Sequence, residues 1–234
     1  MRMLAGTSGW SFKEWKGSFY PKGLAQDDEL GYYAGKFPTV EINNTFYRMP
    51  KESVLMDWAA KVPPTFRFAI KASQRITHHG RLKDVSDSVE YLTRMMSVLE
   101  DRRGPTLFQL PPNLKKDVPR LRDFLEVLPR RWKSAFEFRH ESWFDEEVYE
   151  TLRARDQALC IADHDDFQTP VITTATWSYA RLHRLTYDDA SIGAWSERLE
   201  ALPVEELYVF FKHDETAGSG PNAAEAFTRA AASQ

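Results

Sequence analysis

The sequence predicts an α/β protein: one TIM-like (β/α)8 barrel of parallel strands spanning residues 1–234, with an irregular sixth crossover. Three observations carry this. Eight short runs of β-branched and aromatic residues recur along the chain, amphipathic segments with helix punctuation lie between them, and 234 residues suit one barrel of roughly 250 residues better than two domains. Strict alternation implies parallel strands, because each return has to cross over a helix. Eight such units favour closure over a doubly wound sheet, and no G-x-G-x-x-G follows the first strand.

The expected strands are residues 3–7, 39–43, 66–71, 106–110, 135–139, 158–162, 179–183 and 207–212, each short and bounded by turn or helix signals. The first helical stripe is Leu30, Tyr33, Ala34 and Phe37 before Pro38, and the second is Val54, Leu55, Trp58 and Val62 before Pro63. Val89, Leu92, Met96 and Leu99 mark a third before Gly104 and Pro105. The fourth is the clearest, with Asp117 as cap, Pro119 in the first turn, then Leu121, Phe124, Leu125 and Leu128 before Pro129. Asp145 caps a shorter fifth through Val148, Tyr149 and Leu152. Residues 163–176 are rich in Thr, with Pro170 in their middle, and are expected to cross without a regular helix. Ile192, Trp195 and Leu199 before Pro203, then Ala223, Ala226, Phe227 and Ala230, complete seven helices.

Composition excludes several classes of function. At 42% hydrophobic and 28% charged the chain has enough apolar material for a large core and too much for a disordered segment. It contains no run of 18 apolar residues, and Met1 leads straight into a strand without a charged head and apolar signal core. The expectation is therefore a cytoplasmic protein with no membrane partner. Cys160, inside an apolar run, reads as a small buried hydrophobe. A net charge of -3 gives no global field to gather nucleic acid, so any anion site is local.

Side chains alternate along a strand, so where one parity is apolar and packs on the helices, the other points into the barrel. Val40 and Ile42 facing out leave Glu41 and Asn43 inward; Phe136 and Phe138 leave Glu137 and Arg139. By the same rule Lys71, Arg181, His183 and Lys212 point inward, and Asp163 ends the sixth strand. These residues sit at the C-terminal ends of different strands, where barrel active sites are built. Buried charges are costly to a fold that needs only stability, which favours a site over a set of structural staples. A solvated site of this kind would lose little stability on Glu137→Gln. Four cations, Lys71, Arg139, Arg181 and Lys212, against three anions, Glu41, Glu137 and Asp163, leave room for a ligand of one or two negative charges.

The segment 215–222 is glycine-rich and enters the last helix, so Ser219, Gly220 and Asn222 are candidate anion-binding residues at the usual phosphate position of a barrel. Gly6, Thr7, Ser8 and Gly9 can add amides and hydroxyls to the same cradle. His140, His164, His183 and His213 lie just beyond strand ends beside Glu137, Asp163 and Asp214. Their spacing matches no metal motif and cations share the ring, so no cofactor is expected and a divalent metal enters only as a weaker reading. The aromatics Trp10, Phe12, Trp15, Phe46, Tyr47, Trp143 and Phe144 cluster near strand ends. They either stack a sugar or base or cap the core; Trp10, Tyr47 and Trp143 are the candidates for substrate contact.

Ordered motifs now accumulate. Gly6-Thr7-Ser8-Gly9-Trp10 with Trp15 and Phe19-Tyr20-Pro21, Glu41-Ile42-Asn43-Asn44-Thr45-Phe46-Tyr47, and Lys71-Ala72-Ser73 with Ile76-Thr77-His78 resemble the YecE-like family, domain of unknown function 72. Gln109-Leu110-Pro111-Pro112, Glu137-Phe138-Arg139 with Trp143, and Pro221-Asn222-Ala223 are similar to its later motifs. The resemblance implies a TIM-like barrel and adds Gln109 to the substrate-binding set; it implies no reaction. The chain departs from the pattern at Arg184, where a glycine is expected, and at Lys212-His213-Asp214, where many members carry asparagines.

The leading expectation is an enzyme acting by acid/base chemistry on a small phosphorylated or carboxylated, sugar-like substrate. Glu41 and Glu137 serve as acid and base, Lys71 and Asp163 share the catalytic set, and Arg139, Arg181 and Lys212 clamp charge. A metal-dependent phosphodiesterase acting on nucleic acid is the runner-up. A non-catalytic anion- or metabolite-binding module is the alternative from another class. Oligomeric state is not legible.

Overall fold

The structure is a computed structural model and describes residues 1–212 and 219–232. Eight strands close into a barrel in chain order, each parallel to its neighbours. They are β1 (Arg2–Ser8), β2 (Thr39–Ile42), β3 (Arg67–Lys71), β4 (Arg103–Gln109), β5 (Ser134–Glu137), β6 (Ala158–Asp163), β7 (Trp177–Leu182) and β8 (Glu206–Phe211). Among the described residues, seven α-helices surround them: α1 (Glu29–Ala34), α2 (Glu52–Ala60), α3 (Ser86–Ser97), α4 (Val118–Val127), α5 (Glu146–Arg153), α6 (Asp189–Glu200) and α7 (Ser219–Ala232). None is long and apolar enough to cross a membrane.

Local chemistry explains where the helices start. The Asp117 carboxylate accepts from the Arg120 amide at 3.1 Å and Asp145 from the Glu147 amide at 3.0 Å, satisfying donors that a first turn leaves orphaned. Asp188 caps α6 in the same way, accepting from the Ser191 amide at 2.8 Å.

The strand parities divide the apolar side chains into two cores. Val40, Ile42, Phe68, Ile70, Phe136, Phe138, Ala180, Leu182, Val209 and Phe211 face the helices. The opposite parity fills the lumen, where Trp177, Tyr179, Tyr208 and Phe210 of β7 and β8 are met by Ala69, Ala135, Ala158 and Ala162 from other strands. Large residues on one wall against small ones on the other pack the barrel solid, so the floor beneath the strand ends is closed.

The sixth crossover has no helix, as its composition predicts. Its threonines do the covering. Thr169 Oγ1 accepts from the Ala162 amide at 2.8 Å and donates to the Cys160 carbonyl at 3.2 Å, while Thr174 Oγ1 accepts from Leu159 and donates to Gln157, both at 2.7 Å. Val171 and Ile172 from the same segment pack on the helix-side core.

Candidate functional site

The C-terminal ends of the strands hold a buried ionic floor. The Arg181 guanidinium donates to Glu41 twice, Nε to Oε2 and Nη2 to Oε1, both at 3.0 Å, and through Nη1 to Glu137 Oε2 at 2.5 Å. Glu41 also accepts from Ser8 Oγ at 2.7 Å, Asn43 Nδ2 at 3.0 Å and the Tyr179 hydroxyl at 2.6 Å. Glu137 Oε1 accepts from Gln109 Nε2 at 2.8 Å and Arg139 Nε at 2.5 Å. All four carboxylate oxygens are therefore engaged. Both glutamates are fully enclosed and Arg181 is 4% exposed. Burial alone would raise the two carboxyl groups, yet Arg181 and the donors around them outweigh it and hold both below the usual carboxylate range.

Above the floor, a recess of about 430 Å³ is walled by Ser8, Trp10, Phe12, Asn43, Trp58, Arg181, His183 and Lys212. Gly9, just past β1, has φ +100°, and a Cβ there would lie 2.6 Å from the Phe12 ring. Glycine is thus required for the turn that brings Trp10 and Phe12 over the opening. Trp10 meets Trp58 edge-on at 4.9 Å between ring centroids. A second recess of about 330 Å³ is bounded by His78, Gln109, Arg139, Asp166 and Phe167.

His183 is buried, and desolvation with Arg181 nearby pushes its imidazole well below the ordinary value, leaving it neutral at pH 7. Its Nε2 lies 2.9 Å from Ser8 Oγ, whose single proton goes to Glu41. The Nε2 therefore carries the hydrogen and Nδ1 holds the lone pair. Arg139 Nη2 donates to His164 Nε2 at 3.1 Å. Lys71 ends β3, half-buried, with Nζ 4.4 Å from the centre of the Phe46 ring. Loss of solvent, with Arg181 next in effect, lowers its amine to about 8 against the pull of Glu41 and Glu137.

The structure thus brings Trp10, Asn43, Arg181, His183 and Lys212 to one recess, Gln109 and Arg139 to the other, and Glu41 and Glu137 beneath them. Of the other predicted site residues, Lys71 lines neither recess and stands over Phe46, Ser219, Gly220 and Asn222 line a third, and Trp143, Tyr47 and Asp163 sit elsewhere. Trp143 is a correction: it is fully buried on the helix side, stacked on outward-facing Phe138 at 4.5 Å, with Nε1 donating to the Leu114 carbonyl. Tyr47 is 74% exposed and lines neither recess. Asp163 has the parity of Leu159 and Ile161, which face the helices. Its carboxylate accepts from Arg184 Nε, Gln168 Nε2 and Trp195 Nε1, each at 3.0 Å, and from the Tyr187 hydroxyl at 2.9 Å. It ties the seventh crossover to the wall, and Arg184, the departure from the family pattern, is its ionic partner.

Ser219, Gly220 and Asn222 line a third recess with Lys212, Arg184 and Arg229, beside Leu182 and Phe211 on the helix side. The rest of the proposed anion loop, 215–218, lies outside the described residues, as do His213 and Asp214. No three His, Cys, Asp or Glu side chains among the described residues are arranged to hold a metal ion. Cys160 is a lumen residue whose thiol burial pushes upward. Sequence reasoning missed Tyr179 and Trp58. Tyr179 was readable, being two residues before Arg181 on the same parity; Trp58 looked like an ordinary core position of α2.

Residues 4–234 match the model of the family described as "Protein of unknown function DUF72". The UPF0759 protein YecE of Escherichia coli K12 is 38% identical over 117 residues, 49% of this chain and 43% of that protein. The UPF0759 protein YunF of Bacillus subtilis 168 is 30% identical over 161 residues, 62% of this chain and 53% of its own length. The matches therefore span about half of these relatives. A DUF72 family protein from Thermotoga maritima MSB8 superposes with a TM-score of 0.87 at 31% identity, covering 98% of both chains. One from Enterococcus faecalis V583, 19% identical with a TM-score of 0.83 over 98% of this chain and 95% of its own, shares the fold.

Proposed function

The chain belongs to the DUF72 family, and because that description assigns no reaction, we propose its function from the barrel mouth: binding and turnover of a small organic anion. One observation carries the reading. The mouth gathers four cations, Arg139, Arg181, Lys71 and Lys212, around two carboxylates, and among the described residues neither lysine ammonium has a carboxylate or hydrogen-bond partner. The surplus positive charge calls for an anion, and such crowding is tolerated where ligand binding relieves it. Trp10, Phe12 and Trp58 supply apolar walls beside Asn43 and His183, a mixture suited to a sugar-like or planar body carrying a carboxylate or phosphate.

Glu41 and Glu137, held ionised and saturated with donors, act as fixed charges that orient Arg181 rather than as the proton-donating acid. Proton handling falls to the Nδ1 lone pair of neutral His183 and to Lys71. Thermal melts with sulfate, phosphate and small carboxylates test the reading, with uncharged analogues as controls. Anions are expected to raise the melting temperature and Lys212→Met to weaken that rise. No anion effect on the parent, with a large drop in melting temperature for both Lys71→Met and Lys212→Met, would sink it and leave a purely structural ionic cluster.

A further inference from the structure

We propose that Lys71 is a nucleophilic amine that condenses with a small aldehyde or ketone bearing a carboxylate or phosphate, forming an imine at the barrel mouth. This rests on the anion reading of the same site and goes beyond it by naming the reacting atom and the substrate class. A lysine placed to staple the floor would sit on Glu41 or Glu137. Here arginines, with Ser8, Asn43, Tyr179 and Gln109, occupy all four oxygens of those carboxylates, and Lys71 is left over the Phe46 ring. Its place is fixed by the sheet. Ile42 pairs in register with Ile70, so Lys71 follows the last residue paired with β2 at the C-terminal end of β3, next to the end of β2, and itself lines neither recess. Phe46 meets His78 of the second recess edge-on at 4.9 Å. The groups acting on the amine are Arg181 and Arg139, which favour its neutral form, Glu41 and Glu137, which oppose them, and nearby His78. Desolvation decides the balance, and a neutral fraction near pH 7 is what a carbonyl-attacking lysine needs.

The step balances without a redox partner. The Lys71 ammonium gives up one proton to expose the Nζ lone pair, which attacks the carbonyl carbon; the C–O π electrons move to oxygen, and that oxygen leaves as water carrying this proton and a second from Nζ as the C=N bond forms. The protonated imine keeps the single positive charge, so the Phe46 face continues to stabilise it. The substrate's anionic group would be taken by one of the cations of the two flanking recesses, Lys212 in the first or Arg139 in the second.

Glyoxylate with cyanoborohydride reads the imine by reducing it to a stable secondary amine that peptide mass mapping locates. At pH 7 Lys71 should be alkylated on the order of tenfold or more faster than exposed Lys22 and Lys51. Its rate should rise with pH through about 8, and inorganic phosphate should slow Lys71 without slowing the others. Lys71→Arg, which keeps the cation, should fold with an unchanged melting temperature and lose only the fast phase of labelling. Lys71 labelled no faster than Lys22 and Lys51 overturns the proposal, and phosphate-raised melting in the same protein would then leave the anion site standing. Fast labelling by glyoxylate and neutral acetaldehyde alike, unaffected by phosphate, upholds the amine and overturns the anion reading instead.

Discussion

Arg181 sits buried between two carboxylates, 4% exposed, and this makes the floor of the mouth unforgiving. Replacing Glu137 by Gln leaves Arg139 and Arg181 short of a counter-charge in a buried setting, at a cost of about 3–5 kcal/mol, measurable by urea denaturation. The expectation of a small loss, which follows from reading the whole ring as solvated, is reversed by burial that sequence does not display. The same burial sets an acid limit. Both glutamates lie below the ordinary glutamate value of about 4.5 when folded, so the stability they contribute is complete above about that pH and is lost as pH falls through the lowered values. Parent protein should destabilise steeply in that acid window and Glu137→Gln less steeply. Lys71 has the opposite sign. Its amine is lowered to about 8 in the folded chain, so the folded state disfavours the cation, and stability should rise between roughly pH 8 and the ordinary lysine value near 10.5. Lys71→Met removes that penalty and should hold or raise the melting temperature at pH 7, whereas a clear fall would contradict the assignment.

Elements were legible wherever one residue type has one job. Asp117 and Asp145 predict helix starts because a short carboxylate at an N-cap satisfies orphan amides, and both do so in the structure. Alternation in β2, β5, β7 and β8 predicts which side chains face the lumen because the helix-facing parity is uniformly apolar. It gives no assignment at β6, where Leu159, Cys160, Ile161 and Ala162 are apolar on both faces, so the place of Asp163 on the helix side was not legible. Trp143 was misread for a related reason: a loop aromatic near a strand end is equally suited to stacking on a ligand or on Phe138, and only coordinates distinguish the two. The sixth crossover shows composition acting as structure. Thr169 and Thr174 each accept from one β6 amide and donate to a neighbouring carbonyl, so Thr→Val keeps the shape and strands two backbone groups. Each such variant should lose about 1–3 kcal/mol in denaturant titrations, while Thr→Ser should retain most of the stability. Equal losses for Val and Ser would mean that methyl packing, not the hydroxyl, matters there.

At the scale of the whole molecule, a chain of net charge -3 concentrates positive charge at one end of a closed barrel, and this contrast was readable from strand-end residues alone. What sequence hid is depth: the same ring is a neutralised ionic floor at Arg181 and an unneutralised rim at Lys71 and Lys212, because arginines reach the carboxylates first. The difference predicts how anion affinity varies with pH. Sulfate is the suitable probe, since its own charge is constant across neutral and basic pH. Below about pH 8 Lys71 is cationic, and the four cations exceed Glu41 and Glu137 by two charges. Above it the excess falls to one, and the affinity for sulfate should drop by roughly tenfold between pH 6.5 and 9.5, the scale of one partly screened charge at close range. Linkage requires the converse, that bound sulfate raises the Lys71 amine. In Lys71→Met the excess is one at every pH in that range, so binding should be weaker at pH 6.5 and nearly flat thereafter. Isothermal titration calorimetry of both proteins across the window checks this, and a parent affinity that does not change with pH, or a Lys71→Met curve that falls as steeply as the parent's, would remove Lys71 from the anion site.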